Sequence, residues 1–342
     1  MKKHLIAAAV AAAVAVPAAA QVTVYGNLNA GITVTKTELG TVKTTATTQG
    51  SEDQTSTSVF GFRGTEDLGG GLKAFFDLQA DINPGNGQVG QQAYSAAAGD
   101  IMFNRLAFVG IEGAFGRISF GRVSDAVDSL EGYANHYNLF DTETAAANGI
   151  GGKNANSTRY DSPKFMGANI IATYSSNAVG GATGADNSNN SVRTLGVTFS
   201  QGALSLGAAT GEAAVGAMAR GGKVNTVYAG YNLGIADLRI QNTSDEAAAA
   251  AGATPVKFST NEVSALVPLG AGMSVVFHFE DADFNGTNGA STLVADYKQW
   301  GVMAKKDLSK RTHAYAGYRS TDRAGAASTD TTITTVGIAH SF

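Results

Sequence analysis

The sequence predicts an all-β protein, a single antiparallel transmembrane barrel of sixteen strands closed on itself. Three observations carry this. Apolar and polar residues alternate with period two through one segment after another, which marks strands with one apolar and one polar face. The connections between segments alternate between short and long, as in a membrane barrel with one trimmed and one elaborated end. No linker, internal repeat or composition shift divides the 342 residues. A sandwich of that many strands would need about 100 residues per domain and a visible break between domains.

The chain opens on a segment of another kind. Lys2 and Lys3, the apolar run from Leu5 to Val16 and the small residues Ala18-Ala19-Ala20 read as a secretory signal peptide over residues 1–20. The apolar run is broken by Pro17 and falls short of the ~20 residues that a membrane-crossing helix needs. The barrel is then expected over 21–342, in a protein that leaves the cytoplasm. Without Lys2 and Lys3 the 24 basic residues become 22, against 28 acidic ones, a net charge of −6. That balance argues against nucleic acid as a partner. The absence of Cys excludes a disulfide framework and thiolate metal sites. No cluster of ligand residues has metal spacing, and no cofactor is implied. Gly is abundant at 43 residues and Pro is rare at five, which suits many strands joined by turns.

Strands are expected at 22–34, 56–67, 71–82, 101–112, 116–122, 157–164, 168–176, 191–200, 203–210, 222–233, 235–243, 256–267, 272–280, 292–305, 310–320 and 331–342. Short turns such as Leu68-Gly69-Gly70, Gln201-Gly202 and Gly234 separate them at one end. Long polar stretches such as Thr35 to Thr55 and Asn177 to Asn190 separate them at the other. In Leu72 to Asp81, Leu72, Ala74, Phe76, Leu78 and Ala80 share one face, and Lys73, Asp77, Gln79 and Asp81 share the other. A closed barrel of this size removes sheet edges and leaves an aqueous channel, so the polar faces line water and the apolar faces meet lipid. The last strand places Val336, Ile338, His340 and Phe342 on one face. A terminal aromatic is comfortable at the lipid–water interface.

The stretch from Phe103 to Pro163 departs from this rhythm. Between Arg122 and Ser157 lie roughly 35 residues without clear periodicity, far longer than an ordinary connection. They carry Asp125, Asp128, Glu131, Asp141 and Glu143. This third long connection is expected to fold inward and narrow the pore. Arg63 lies opposite Phe60 and Phe62, and an Arg facing lipid at mid-depth costs about 2–4 kcal/mol, so Arg63 is assigned to the lumen. Strict alternation would group Arg105 with Ala107, Val109 and Ile111, but the same penalty favours the lumen unless the residue lies near a strand end. Arg159 sits where the long connection rejoins the wall. Arginines on a pore wall opposed by loop acids set a transverse field, and rings of charge govern which ions pass. Alternatively, these arginines satisfy loop carboxylates and brace the loop. Both roles are compatible.

The run Ser58-Val59-Phe60-Gly61-Phe62-Arg63-Gly64-Thr65-Glu66-Asp67-Leu68-Gly69-Gly70-Gly71-Leu72-Lys73-Ala74 resembles the second hairpin of Gram-negative general porins, in their neisserial and betaproteobacterial branch. Val22-Thr23-Val24-Tyr25-Gly26, Asn104 to Gly110, Arg159-Tyr160-Asp161-Ser162-Pro163 and the terminal Phe342 extend the likeness over the chain beyond the leader. The resemblance implies a homotrimer of sixteen-stranded barrels in the Gram-negative outer membrane, passing ions and small hydrophilic solutes passively. It implies that Arg105 and Arg159 match arginines of the family's pore constriction, and that Phe342 matches the terminal aromatic read by the outer-membrane assembly machinery. Some relatives carry a further constriction arginine where this chain has Val59, so strong anion preference is not implied.

Two other classes are weighed. A substrate-specific channel on the same barrel would want an aromatic slide, to which Tyr133, His136, Tyr137 and Phe140 could contribute, although such groups also serve a loop's own packing. An outer-membrane enzyme would need a nucleophile held against a base and an orienting carboxylate. No Gly-x-Ser-x-Gly sequence is present, and His278, His313 and His340 lie in expected strands.

Overall fold

A computed structural model describes residues 21–50, 57–90, 101–138, 150–176, 191–214, 222–247, 256–285, 296–324 and 329–342. The expected signal peptide lies outside them. Among the described residues one antiparallel sheet has seventeen strands. They are β1 (Gln21–Leu39), β2 (Val42–Gly50), β3 (Val59–Gly69), β4 (Leu72–Asp81), β5 (Leu106–Gly113), β6 (Gly116–Ser124), β7 (Lys153–Asp161), β8 (Ala168–Ser176) and β9 (Ser191–Gln201). The rest are β10 (Leu204–Ala214), β11 (Gly222–Asn232), β12 (Asp237–Glu246), β13 (Lys257–Gly270), β14 (Met273–Asn285), β15 (Tyr297–Asp307), β16 (Thr312–Arg323) and β17 (Asp330–Ser341).

β1 pairs with β17 from Asn27↔Ser341 to Glu38↔Asp330, and with β3 from Gln21↔Thr65 to Asn27↔Val59. From β3 onward each strand pairs with the next, so sixteen strands close a ring. Closure leaves no unpaired edge for lipid, where each unsatisfied backbone group would cost several kcal/mol. The extra strand, β2, takes over the edge of β1 at Gly31–Leu39, beyond the point where β3 stops.

The two faces of the ring differ in chemistry. Val109, Ile240, Phe277 and Val336 are each more than half exposed, and all stand on the outer face, as the alternation demands. The inner face carries Thr33, Ser119, Thr173, Thr194, Thr226, Gln241, Thr260, Gln299 and Thr335, all buried. Exposed apolar side chains on a continuous outer band are what lipid solvates, and lumen-facing polar residues are the complement.

All sixteen expected strands form among the described residues, outside which residues 56 and 292–295 of two of them lie, with two main differences. Residues 101–105 precede β5 instead of belonging to it. There the side chain of Asn104 replaces the ladder on β4, accepting a hydrogen bond from the Asp81 amide at 3.0 Å and donating to its carboxylate at 2.5 Å. The expected loop 35–55 contains β2. Its sequence, Val42-Lys43-Thr44-Thr45-Ala46-Thr47-Thr48, is rich in β-branched residues that favour an extended backbone, and Gly40, at φ 57°, allows the tight reversal before it.

Phe342 lies at the seam. Its amide donates to the Gly26 carbonyl at 3.0 Å and its carbonyl accepts from the Gly26 amide at 3.2 Å. Its ring occupies the space above Gly26, where a Cβ would lie 2.4 Å from Phe342 Cζ and 2.7 Å from the Val59 carbonyl oxygen. Gly26→Val is therefore expected to destabilise the closed barrel by roughly 1–3 kcal/mol, the usual cost of overpacking. The midpoint of thermal unfolding in detergent should fall. An unchanged midpoint would show that the Phe342 ring moves aside freely.

Candidate functional site

The inner face of β3 to β7 is rich in paired charge. The ladder places Thr23, Arg63, Asp77, Phe108 and Gly121 in one transverse row. Just beyond it, the Tyr25 hydroxyl donates to Asp77 Oδ1 at 2.5 Å and accepts from Gln79 Nε2 at 3.1 Å. Arg63 is exposed, with its guanidinium carbon 4.9 Å from the Tyr25 ring centroid. It makes no hydrogen bond or ion pair among the described residues.

Arg105 and Arg159 are held firmly. Arg105 lies just outside β5, so strand alternation does not govern it. Its amide donates to the Gln79 carbonyl at 3.2 Å, and its guanidinium reaches the inner face, with Nε 2.9 Å from Gln79 Oε1 and Nη1 3.0 Å from Asp81 Oδ1. Arg159 grips Asp161 through two parallel bonds of 2.9 and 2.7 Å, the bidentate geometry in which guanidinium–carboxylate pairs are strongest. Its Nη1 donates to the Ser124 carbonyl and to Ser129 Oγ, both at 2.8 Å, and so ties the wall to the segment after β6.

That segment, Asp125 to Asn138, packs on residues of β8 to β14. Ala126, Val127 and Leu130, with Ile150, form a buried apolar cluster with Ile171, Val192, Ala209, Ala213 and Val224. Further along, Tyr133 stacks on Tyr228 at 3.7 Å and lies under Arg239, 4.8 Å from the ring centroid to the guanidinium. His136 is buried between Ser264 Oγ, at 2.6 Å, and Asp237 Oδ2, at 3.2 Å. The Tyr137 hydroxyl lies 3.1 Å from Ser274 Oγ, and Lys305 Nζ lies 4.5 Å from its ring centroid. Phe140, Asp141 and Glu143 lie outside the described residues.

The three loop acids have different surroundings. Asp125, one of the loop acids expected at the constriction, is wholly buried. It accepts hydrogen bonds from the amides of Asp128 (2.9 Å), Gly151 (2.9 Å) and Gly152 (3.3 Å) and from Asn154 Nδ2 (3.2 Å). It braces the segment, because a carboxylate with no exposed surface cannot line water. Burial pushes its pKa up to about 6, against the pull of those backbone donors. Asp128 is paired with Lys153 Nζ at 2.9 Å. Glu131 is half-buried, with its carboxylate against Gly151, where a Cβ would lie 2.6 Å from Oε2.

Sequence reasoning missed the wall that receives this segment. A Cβ on Gly211 would lie 2.5 Å from Ile150 Cγ2, and one on Gly230 would lie 2.1 Å from the Tyr133 hydroxyl. The signal was the departure of β9 to β11 from the polar rule for inward positions. There Val192, Ala209, Gly211, Ala213 and Val224 are small or apolar.

A family profile described as a Gram-negative porin matches residues 7–326. The major outer membrane protein P.IB of Neisseria lactamica is 30% identical over 357 residues, covering 100% of both chains. Outer membrane porin protein 32 of Delftia acidovorans is 33% identical over 255 residues, covering 70% of this chain and 68% of the relative. Among solved structures, an anion-selective porin from Comamonas acidovorans has a similar fold at a TM-score of 0.76 and 23% identity, covering 94% of this chain and 100% of that one. The trimer form of OmpT from Vibrio cholerae matches at 0.68 and 14% identity, covering 95% and 100%.

The raised pKa of Asp125 sets the sign of a pH effect. The folded segment holds a proton that the opened segment releases above the ordinary aspartate range. The stability contributed by this group is therefore present below about pH 4 and lost as pH rises through about 6, by roughly 2–3 kcal/mol in all. Hydrogen-exchange protection of the Asp128, Gly151 and Gly152 amides, corrected for intrinsic rates, should fall over that window. Asp125→Asn should flatten the dependence. Protection that rises with pH would contradict the assignment.

Proposed function

The chain belongs to the Gram-negative porin family, and on that premise we propose how its pore is narrowed and what decides its ion preference. It is an outer-membrane diffusion porin. The connection between β6 and β7 is the third external loop, and it folds into the barrel at Asp125–Asn138. Its packing on inward positions of β8 to β14 supports this. The narrow zone lies between that segment and the wall of β3 to β7. Arg63, Arg105 and Arg159 stand on the wall side and Asp128 and Glu131 on the loop side, while Asp125 braces the loop from beneath. No chemical step is assigned to the lumen, and no cofactor takes part.

One observation carries the selectivity. Arg105 is paired with Asp81, Arg159 with Asp161 and Asp128 with Lys153, whereas Arg63 has no such partner among the described residues. A close pair of opposite charges presents little net field at a distance, so the unpaired guanidinium sets the sign felt by a passing ion. The pore favours anions modestly. Tyr133, His136 and Tyr137 are engaged with the wall, which leaves no aromatic slide among them and favours general diffusion of small hydrophilic solutes over a substrate-specific channel.

Two partners follow from the family. A homotrimer is supported by the likeness to the OmpT trimer form, and a band of threefold mass on an unheated denaturing gel would report it. Phe342, on the outer face of the seam, is the residue offered to the outer-membrane assembly machinery.

Purified protein in a planar bilayer under a tenfold potassium chloride gradient should give stepwise conductance with a reversal potential of the anion sign. Arg63→Gln should move that potential toward zero or beyond it. A cation sign in the parent protein would overturn the role given to Arg63, and absence of conductance would overturn the open pore.

A further inference from the structure

A cavity of about 360 Å³ opens on the inner wall between β1 and β6, bordered by Thr23, Arg63, Phe75, Asp77, Phe108 and Arg117. Its two guanidinium groups are each held by a face. Arg63 lies 4.9 Å from the Tyr25 ring centroid, and Arg117 lies 4.1 Å from that of Phe75. A guanidinium supported on its face keeps its in-plane donors for an acceptor at its edge. Glu112 pairs with Arg117 through Nε at 3.2 Å, and no protein hydrogen bond or ion pair engages Arg63 among the described residues. The acid between them, Asp77, has its Oδ1 occupied by the Tyr25 hydroxyl. Both arginines line the cavity beside Asp77; Glu112 balances Arg117, and Arg63 is the cation there without a paired carboxylate among the described residues.

We propose that Arg63 and Arg117 form a binding subsite for organic carboxylates on the pore wall. A carboxylate is planar and offers two oxygens at the spacing of a guanidinium edge, so it is held by paired bonds that a spherical chloride cannot reproduce. Phe108 borders the same cavity and meets Phe75 edge to face at 6.1 Å between ring centroids. It gives the carbon body of such a solute an apolar contact. Arg105 and Arg159, whose forks are filled by Asp81 and Asp161, are not available for this. The subsite rests on the porin reading in that its cavity opens on the inner wall of the barrel, which a solute can enter from one mouth whether or not the channel conducts.

The probe is 4-fluorobenzoate, titrated against the full-length protein in detergent and followed by ligand-observed ¹⁹F line broadening, with empty micelles as the blank. Saturable broadening is expected for the carboxylate and none for neutral 4-fluorobenzamide. Arg63→Lys keeps the charge and loses the fork, and should raise the half-saturating concentration by about tenfold or more. Phe108→Leu should raise it for 4-fluorobenzoate while leaving competition by acetate unchanged. Retained unheated mobility on a denaturing gel establishes that each variant is folded. Equal binding by the parent and by Arg63→Lys overturns the subsite, as does broadening that never saturates. The assay needs no conductance. Saturation in a protein that is silent in bilayers would overturn the open pore and keep the subsite, and a conducting protein without saturation would do the reverse.

Discussion

A backbone crossing lipid has no water to satisfy its amides and carbonyls, so every such group must find a partner in the neighbouring strand. The rest of this structure depends on that constraint. It forces the ladder to close, and the pairing of β1 with β17 over Asn27–Glu38 closes it. Closure divides every strand into an outward set and an inward set. The outward set is apolar because it meets acyl chains, and the inward set is free to be polar because it meets water. Phe342 and Gly26 fit this frame as two halves of one contact. The ring covers the position where a larger residue would have pushed the seam apart.

Inside the ring, charge is mostly spent on holding the wall and loop in place. Arg159 joins Asp161 on its own strand to Ser124 at the end of β6 and to Ser129 of the segment that follows. Asp125 does the same from the other direction, gathering backbone donors from both ends of the connection. The clamp is completed by Tyr133 under Arg239 and by His136 between Ser264 and Asp237. The residues proposed for the constriction are therefore also residues that hold the wall and the connection together. Arg63 differs from Arg105 and Arg159 in being supported by an aromatic face, with no paired carboxylate among the described residues.

Much of the barrel was legible because the signal is local and redundant. Leu72 to Asp81 and Met273 to Glu280 announce their two faces by alternation alone. Arg63 could be assigned to the lumen because Phe60 and Phe62 flank it on the other parity. Arg105 could not be read by parity, since the Asn104 side chain ends the ladder before it. The extra strand β2 was hidden inside a polar stretch because its threonines look like loop residues unless their β-branching is weighed. Asp125 looked equivalent to Asp128 and Glu131 in sequence. Only the folded connection brings Gly151, Gly152 and Asn154 around it, across 26 to 29 residues. Nor does spacing reveal that Arg117 leans over Phe75, because that contact joins two strands separated by β5.

The seam also bears on how the barrel comes to exist. Most of its ladders join neighbours along the chain, and those closed by a short turn can zip from it, but Asn27 meets Ser341 across 314 residues. A contact of such sequence separation repays its loop-closure entropy only late. The hairpins from β3 onward can form in any order, whereas β1 and β17 must wait for one another. Until they meet, two strand edges stand open, so the slowest folding event and the period of greatest aggregation hazard coincide at one place.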